Sequence, residues 1–161
     1  MAWLLLASLA LTVISVTACT HDAGAVKVVS VTDGDTIRVV LQGREEPVRL
    51  IGINTPELRP RPAPYAREAH AHLQELVAGR RVWLEFDVTE RDRYGRMLAY
   101  VWLKPPGGAR DARAEMVNAA MLLAGWAEVL EVRPNTKYAV LFLLLQDEAK
   151  AARRGRWRDT R

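Results

Sequence analysis

A single cysteine, Cys19, stands among the 161 residues, so no disulfide can form within the chain. Histidine is scarce as well: His21 lies near the start, and His70 and His72 are two apart, a spacing that puts them on different faces of a helix and excludes a histidine-paired metal site. No lysine or arginine precedes Lys27, so the positive region that usually opens an export signal is missing apart from the terminal amine. There is no internal repeat, and no low-complexity block longer than a proline-rich loop at 59–64, which excludes a repeat architecture. Past the first residues, the run Val140 to Leu145 is too short to span a bilayer. The length itself leaves room for one domain with a real core and too little for two.

What is present begins with an apolar start. Residues 1–18 carry no charged side chain, and Trp3 to Leu11 forms the hydrophobic run of an export signal. Val16-Thr17-Ala18-Cys19 is similar to the bacterial lipoprotein signal, in which the cysteine is lipidated and becomes the mature first residue. The expectation is an export signal over 1–18 cleaved before Cys19, a tether over 19–25, and a domain over 26–161. An uncleaved anchor and an ordinary secreted form are the alternatives. The net charge of +4 and pI near 9.6 suit a polyanionic partner, although charge alone would equally serve solubility.

Periodicity sets the order of elements. Lys27 to Thr32 and Asp35 to Gln42 alternate as strands about the hairpin signal Asp33-Gly34, and Pro47 to Ile53 makes a third strand after a turn. Arg49 alternates there with Ile51 and Ile53, so its guanidinium lies in a row fit for the core and must find an anionic partner. Thr55-Pro56 ends that strand and fixes Asn54, Thr55 and Glu57 at its end. The loop Arg59 to Pro64 is basic and exposed, and a first helix covers about Ala63 to Ala78, with Tyr65, Ala69, Leu73, Leu76 and Val77 on its buried face. Strands follow at Arg81 to Thr89 and Gly95 to Leu103. A second helix runs from Asp111 to Gly125 and a third from Thr136, with Tyr138, Leu141, Leu145, Ala149 and Ala152 inward. The order βββαββαα, with five strands and three α-helices, predicts an α+β fold on a small, partly open barrel of the oligonucleotide-binding (OB-fold) type.

Three turns beside strands carry the chemistry: Asp33-Gly34-Asp35-Thr36, Arg49 to Glu57, and Asp92-Arg93-Tyr94-Gly95-Arg96. Together they gather carboxylates, an amide, a hydroxyl and two arginines at strand ends. Phosphodiester hydrolysis needs that inventory: oxygen ligands for a hard cation, a carboxylate base for water, and guanidinium forks for a crowded phosphate. The segments DGDT, RLIGINTPE and DRYGRMLAY, in this order and on this element pattern, resemble staphylococcal nuclease-like (thermonuclease) proteins from about Val26 to Trp157.

The resemblance implies a calcium-dependent nuclease that cuts single- or double-stranded DNA and RNA to 3′-phosphate ends, acting as a monomer with one calcium ion. By the same resemblance Asp35, Asn54 and the Thr55 carbonyl are metal ligands, Glu57 is the general base, Arg49 and Arg96 hold the scissile phosphate, and Tyr94 lies at the nucleotide pocket. Two departures stand out. Asn54 occupies a position that is often aspartate, which predicts weaker cation binding, and Leu130 to Pro134 carries no tyrosine, which predicts looser base contacts. The localisation implied is the bacterial cell envelope, by a lipid on Cys19, or secretion. Two rivals remain: a catalytically silent OB-fold lipoprotein that binds nucleic acid, and a structural envelope module in which Asp35 and Glu57 only neutralise Arg49 and Arg96.

Overall fold

The computed structural model describes residues 24–159. The expected export signal, Cys19 and the tether up to Ala23 lie outside the described residues. Strand β1 (Val26–Asp33) pairs antiparallel with β2 (Thr36–Leu41), which pairs antiparallel with β3 (Arg44–Leu50). The register of β1 against β2 shifts twice, between Val28 and Ser30 and between Val31 and Asp33. Such bulges bend and twist a strand, which helps a five-stranded sheet curl back on itself. Closure is complete: β5 (Arg81–Glu85) pairs with β1 on one side and β6 (Met97–Trp102) on the other, and β6 runs parallel to β3. The expected OB-type barrel is therefore present, closed rather than partly open.

The barrel interior follows from alternation. Ile37, Val39, Val48, Leu50, Val82 and Val101 are all buried, each inward side chain alternating with an outward one along its strand. Helix α1 (Ala66–Val77) buries Ala69, Leu73 and Val77 on one stripe against β1. Outside the barrel, helix α4 (Ala139–Ala151) lays Phe142, Leu145 and Ala149 inward, and Tyr138 meets Tyr100 edge-on with centroids 4.7 Å apart. Of the expected third-helix face, Ala152 is exposed and Phe142 takes a buried place.

Two expected elements are broken in the structure, for the same kind of reason. The second helix is two helices, α2 (Ala109–Glu115) and α3 (Val117–Leu123), so the described residues form four α-helices rather than three. Met116 between them is extended (ψ 126°) because it bridges to Trp102 of β6. Tertiary pairing overrides local helix propensity there. The third strand likewise stops at Leu50, turns through Ile51-Gly52 with Gly52 at φ 78°, and resumes as the short β4 (Ile53–Asn54), which pairs with β7 (Glu128–Val129) off the barrel. Arg49 therefore does not share one strand face with Ile51 and Ile53. Gly52 is needed twice over: its φ suits glycine, and a Cβ there would lie 2.7 Å from Phe142.

This turn carries the site, and three of its backbone groups are held by partners distant in sequence. Ile51 N–H donates to Ala99, the Ile51 carbonyl accepts from Asn118 Nδ2 at 2.8 Å, and Leu130 N–H donates to the Gly52 carbonyl. Asn118 is fully buried and also accepts the Val101 N–H at 2.9 Å, so one side chain ties α3, β6 and the turn. Asn118→Ala strands two buried backbone groups and is expected to lower stability by about 2–4 kcal/mol. A urea denaturation series checks it, and a change below about 1 kcal/mol would show that the turn is held by other contacts.

Candidate active site

The two-residue turn between β1 and β2 is Gly34-Asp35, so Asp35 sits at the mouth of the barrel and not within the strand. Its carboxylate is nearly buried and saturated with donors: Oδ2 accepts the Thr55 N–H at 2.9 Å and the Thr55 hydroxyl at 3.1 Å and faces Arg49 Nη2 at 3.0 Å, while Oδ1 accepts the Thr36 hydroxyl at 3.1 Å. Burial pushes the Asp35 carboxyl up to about 6; Arg49 pulls against that shift, and the neighbouring Asp33 carboxylate adds to it. Gly34 has to be glycine for reasons of space. A Cβ would come within 2.6 Å of the Thr55 hydroxyl and 2.9 Å of the Ala69 side chain.

Arg49 completes the arrangement from the end of β3. Its Nη1 donates to the Leu50 and Ile53 carbonyls, each at 2.8 Å, and its Nη2 to Asn54 Oδ1 at 3.2 Å as well as to Asp35. The residues on either side of the Ile51-Gly52 turn, Leu50 and Ile53, thus bring their carbonyls onto the guanidinium. Burial lowers the Arg49 pKa, Asp35 opposes that change, and Arg96 adds to it as a like charge.

Arg96 arrives through the parallel seam: Arg49 pairs with Leu98, which places the residue just before β6 beside the end of β3. Its Nε donates to Asp92 Oδ2 at 2.7 Å, and Asp92 Oδ1 accepts the Tyr94 and Arg96 N–H groups. These Arg96 and Tyr94 bonds, helped by the charge of Arg96, hold the Asp92 carboxyl below its ordinary range, although burial opposes them as the largest single influence. The Tyr94 ring is exposed, with the Arg93 and Arg96 guanidinium carbons 4.8 and 5.6 Å from its centre. Arg49, Arg96, Tyr94 and Arg133 line one cleft of about 520 Å³, whose far wall carries Leu130 and Val132.

Of the residues expected from sequence, Asp35, Arg49, Asn54 and Thr55 are in direct contact, and Arg96 and Tyr94 share the cleft with Arg49. Glu57 stands apart. It is exposed, has no ion pair among the described residues, and reaches Arg49 only through its charge. Sequence reading passed over two carboxylates, Asp33 and Asp92, and the Thr36 hydroxyl. The D-x-D spacing of Asp33 and Asp35, and the i,i+4 spacing of Asp92 and Arg96, were the available signals. Among the described residues no three His, Cys, Asp or Glu side chains form a metal cage. The local donor set is oxygen throughout, from Asp35, Asp33 and Asn54, which fits a hard cation such as calcium and not a soft one.

Because Gly34 leaves no room for a Cβ, Gly34→Ala is expected to push Thr55 off Asp35, costing about 1–3 kcal/mol of stability. Thermal melts would check this, and an unshifted melting temperature would contradict the close approach.

A family model described as staphylococcal nuclease homologue matches residues 47–159. The chain is 37% identical over 134 residues to a thermonuclease of Staphylococcus hyicus, covering 81% of this chain and 74% of that protein. It is 38% identical over 130 residues to a thermonuclease of Staphylococcus intermedius, covering 79% and 72% of the two chains. Over 147 residues it is 37% identical to the endonuclease YncB of Bacillus subtilis, covering 85% of this chain and 65% of that protein. With a buried carboxylate, two arginines and an aromatic ring at the mouth of a five-stranded barrel, the chain belongs to the staphylococcal nuclease homologue family and is a phosphodiester-hydrolysing nuclease.

Proposed function

We infer that the chain is a calcium-dependent endonuclease that hydrolyses DNA and RNA to 3′-phosphate products. The observation that carries this reading is the meeting of Arg49 and Arg96 at one cleft beside the oxygen donors Asp35 and Asn54. Two guanidinium forks close enough to perturb each other repel unless an anion lies between them, and a phosphodiester is such an anion. Asp35, Asn54 and the Thr55 carbonyl would hold the calcium ion, which supplies charge neutralisation at the phosphate when bound. Arg49 and Arg96 bind the non-bridging phosphate oxygens and stabilise the charge that builds as water attacks phosphorus. Glu57 takes the proton from that water; the new P–O bond forms, the bond to the 5′-oxygen breaks, that oxygen leaves as a 5′-hydroxyl by taking a proton from solvent, and the phosphate stays on the 3′ side. Tyr94 stands at the nucleotide in the cleft, and Leu130 and Val132 provide apolar contact without a ring.

The apolar start and Cys19 support export to the bacterial envelope, with the chain anchored by a lipid on Cys19 or released, as one domain from residue 26 and as a monomer. Outside the cell, a cation site of about millimolar affinity, as expected with the neutral Asn54, still fills.

The direct test is end-group analysis of single-stranded DNA incubated with the purified chain in calcium and in chelator. Calcium-dependent cleavage to 3′-phosphates is expected, falling by at least about 100-fold in Glu57→Gln and in Arg96→Ala. Strand binding without cleavage in every metal condition would instead favour the silent OB-fold reading.

Proton competition supplies a second test. With the Asp35 carboxyl raised to about 6 in the cation-free chain, the ionised form that a cation needs is fully present above about pH 7 and is lost as pH falls through 6. Calcium affinity from titration calorimetry should be level above pH 7 and fall by up to about tenfold per unit below 6. A flat profile down to pH 5 would mean that Asp35 is not a ligand. Asn54→Asp should raise the affinity at pH 7.

A further inference from the structure

The first cleft ends at Arg49 and Ile53, and a second, of about 370 Å³, begins at the next residues, Asn54 and Thr55. Pro56, Tyr65 and Trp157 line it, with Glu128 and Arg156 as its charged members. Apart from Asn54 and Thr55, the proposed cation ligands, none of its lining residues takes part in the steps proposed above. Its surroundings combine rings and cations: the Tyr65 and Trp126 ring centres are 6.3 Å apart, and the Arg158 guanidinium carbon lies 5.5 Å from the first and 5.9 Å from the second. Arg156 lies 5.1 Å from the Trp157 ring centre and reaches the Glu128 carboxylate at 3.2 Å. Residues 57–63 form a loop closed by the Ala63 N–H on the Glu57 carbonyl at 2.9 Å, and the loop runs into the cleft wall at Ala63 and Pro64. That loop carries Arg59 and Arg61, both exposed and in no ion pair among the described residues.

Resting on the nuclease reading, we propose that this second cleft is a subsite for a single-stranded polynucleotide, taking one unpaired nucleotide of the same strand whose scissile phosphate lies at Arg49 and Arg96. Two observations carry it beyond a surface hollow. One is continuity: Asn54, which lines the second cleft, accepts a hydrogen bond from Arg49, which lines the first, so a strand held at the arginines passes directly from one cleft to the other. The other is chemistry. A ligand-sized groove with aromatic walls and arginines beside them matches the demands of a polynucleotide, whose bases stack on rings and whose phosphates seek guanidinium groups. A base already paired in a duplex cannot enter such a groove, so the cleft favours single strands. Glu128 works against an incoming phosphate and holds Arg156 to itself, so it sets an upper limit on the affinity of this subsite.

The test uses the full chain in a Glu57→Gln background, with calcium, and compares the affinity of a fluorescent eight-nucleotide oligothymidylate with that of a single thymidine nucleotide. The octamer should bind the parent more tightly than the mononucleotide. That advantage should fall about five- to tenfold in Arg59→Ala/Arg61→Ala and in Arg158→Ala, recover in Arg158→Lys, and rise two- to fivefold in Glu128→Gln. The gain in Glu128→Gln cannot come from misfolding. An octamer no tighter than the mononucleotide, or an advantage unchanged in all the variants, overturns the subsite. The nuclease reading fails by a different signal: the chain with Glu57 intact would leave the oligonucleotide uncut in calcium while the affinity ratios still respond to the variants.

Discussion

The pairing of Arg49 with Asp35 is the contact on which the rest of the mouth depends. Both side chains are largely withdrawn from water, at 12% and 9% exposure, so each is costly to hold alone. Removing one partner of such a pair leaves a buried charge without compensation and costs about 3–5 kcal/mol. The surrounding fold is arranged to satisfy what remains of both groups. Asp35 accepts from Thr36 and Thr55, and Arg49 donates to the carbonyls of Leu50 and Ile53. Four pieces of chain meet there: the β1–β2 turn, the end of β3, the Ile51-Gly52 turn and Thr55. The turn in its place needs Asn118 and Gly52, so α3 reaches the site through the Asn118 hydrogen bond and α4 through the Phe142 ring that lies against Gly52.

The same pair explains how a cation and a phosphate would depend on one another in the proposed reaction. Arg49 Nη2 spends its contacts on Asp35 Oδ2 and Asn54 Oδ1, two of the oxygens assigned to the cation. A cation drawing on those oxygens competes with Nη2 for them and leaves it free for a phosphate oxygen. Nη1, bound to two backbone carbonyls, stays anchored and keeps the guanidinium aimed. Arg96 has a simpler hold, one carboxylate at its Nε, which leaves its Nη groups available.

The barrel class, the sequence of its five strands along the chain and the helix that follows the first three are legible because alternation and turn chemistry are local signals. Asp33-Gly34, Gln42-Gly43 and Gly79 each sit where a chain must turn. What escaped was set by partners distant in sequence. Nothing within residues 111–125 announces that Met116 leaves the helix, since the cause is Trp102. The third strand is not straight: it bends at Gly52, whose positive φ turns the chain and whose missing side chain leaves room for Phe142, ninety residues on. At the site, Arg49 does meet an anion, although the shared strand face with Ile51 and Ile53 from which that was expected does not exist, and the identity of the anion as Asp35 required the register of β2 against β3, in which Thr36 faces Arg49. Asp92 was missed although it lies in a quoted motif, because it acts through Arg96 and not on its own account.

Asn54 shows how one neutral side chain changes the balance at the mouth. An aspartate there would present Arg49 with a second carboxylate beside Asp35 and would bind both the guanidinium and a cation more strongly. The amide accepts from Nη2 at 3.2 Å without adding a charge, so Asp35 is the main electrostatic hold on Arg49, with smaller contributions from Asp33 and Glu57. A weaker cation site and a more readily released arginine then have the same origin. In the proposed reaction these effects oppose each other: fewer chains carry the cation at a given concentration, and each that does gives up Arg49 to the phosphate more easily. Asn54 also pairs with Glu128 across β4 and β7, so the residue that sets this balance stands at the junction of the two clefts. A strand spanning both would press on Asn54 from each side, which couples the grip on the flanking nucleotide to the freedom of Arg49 through one hydrogen bond.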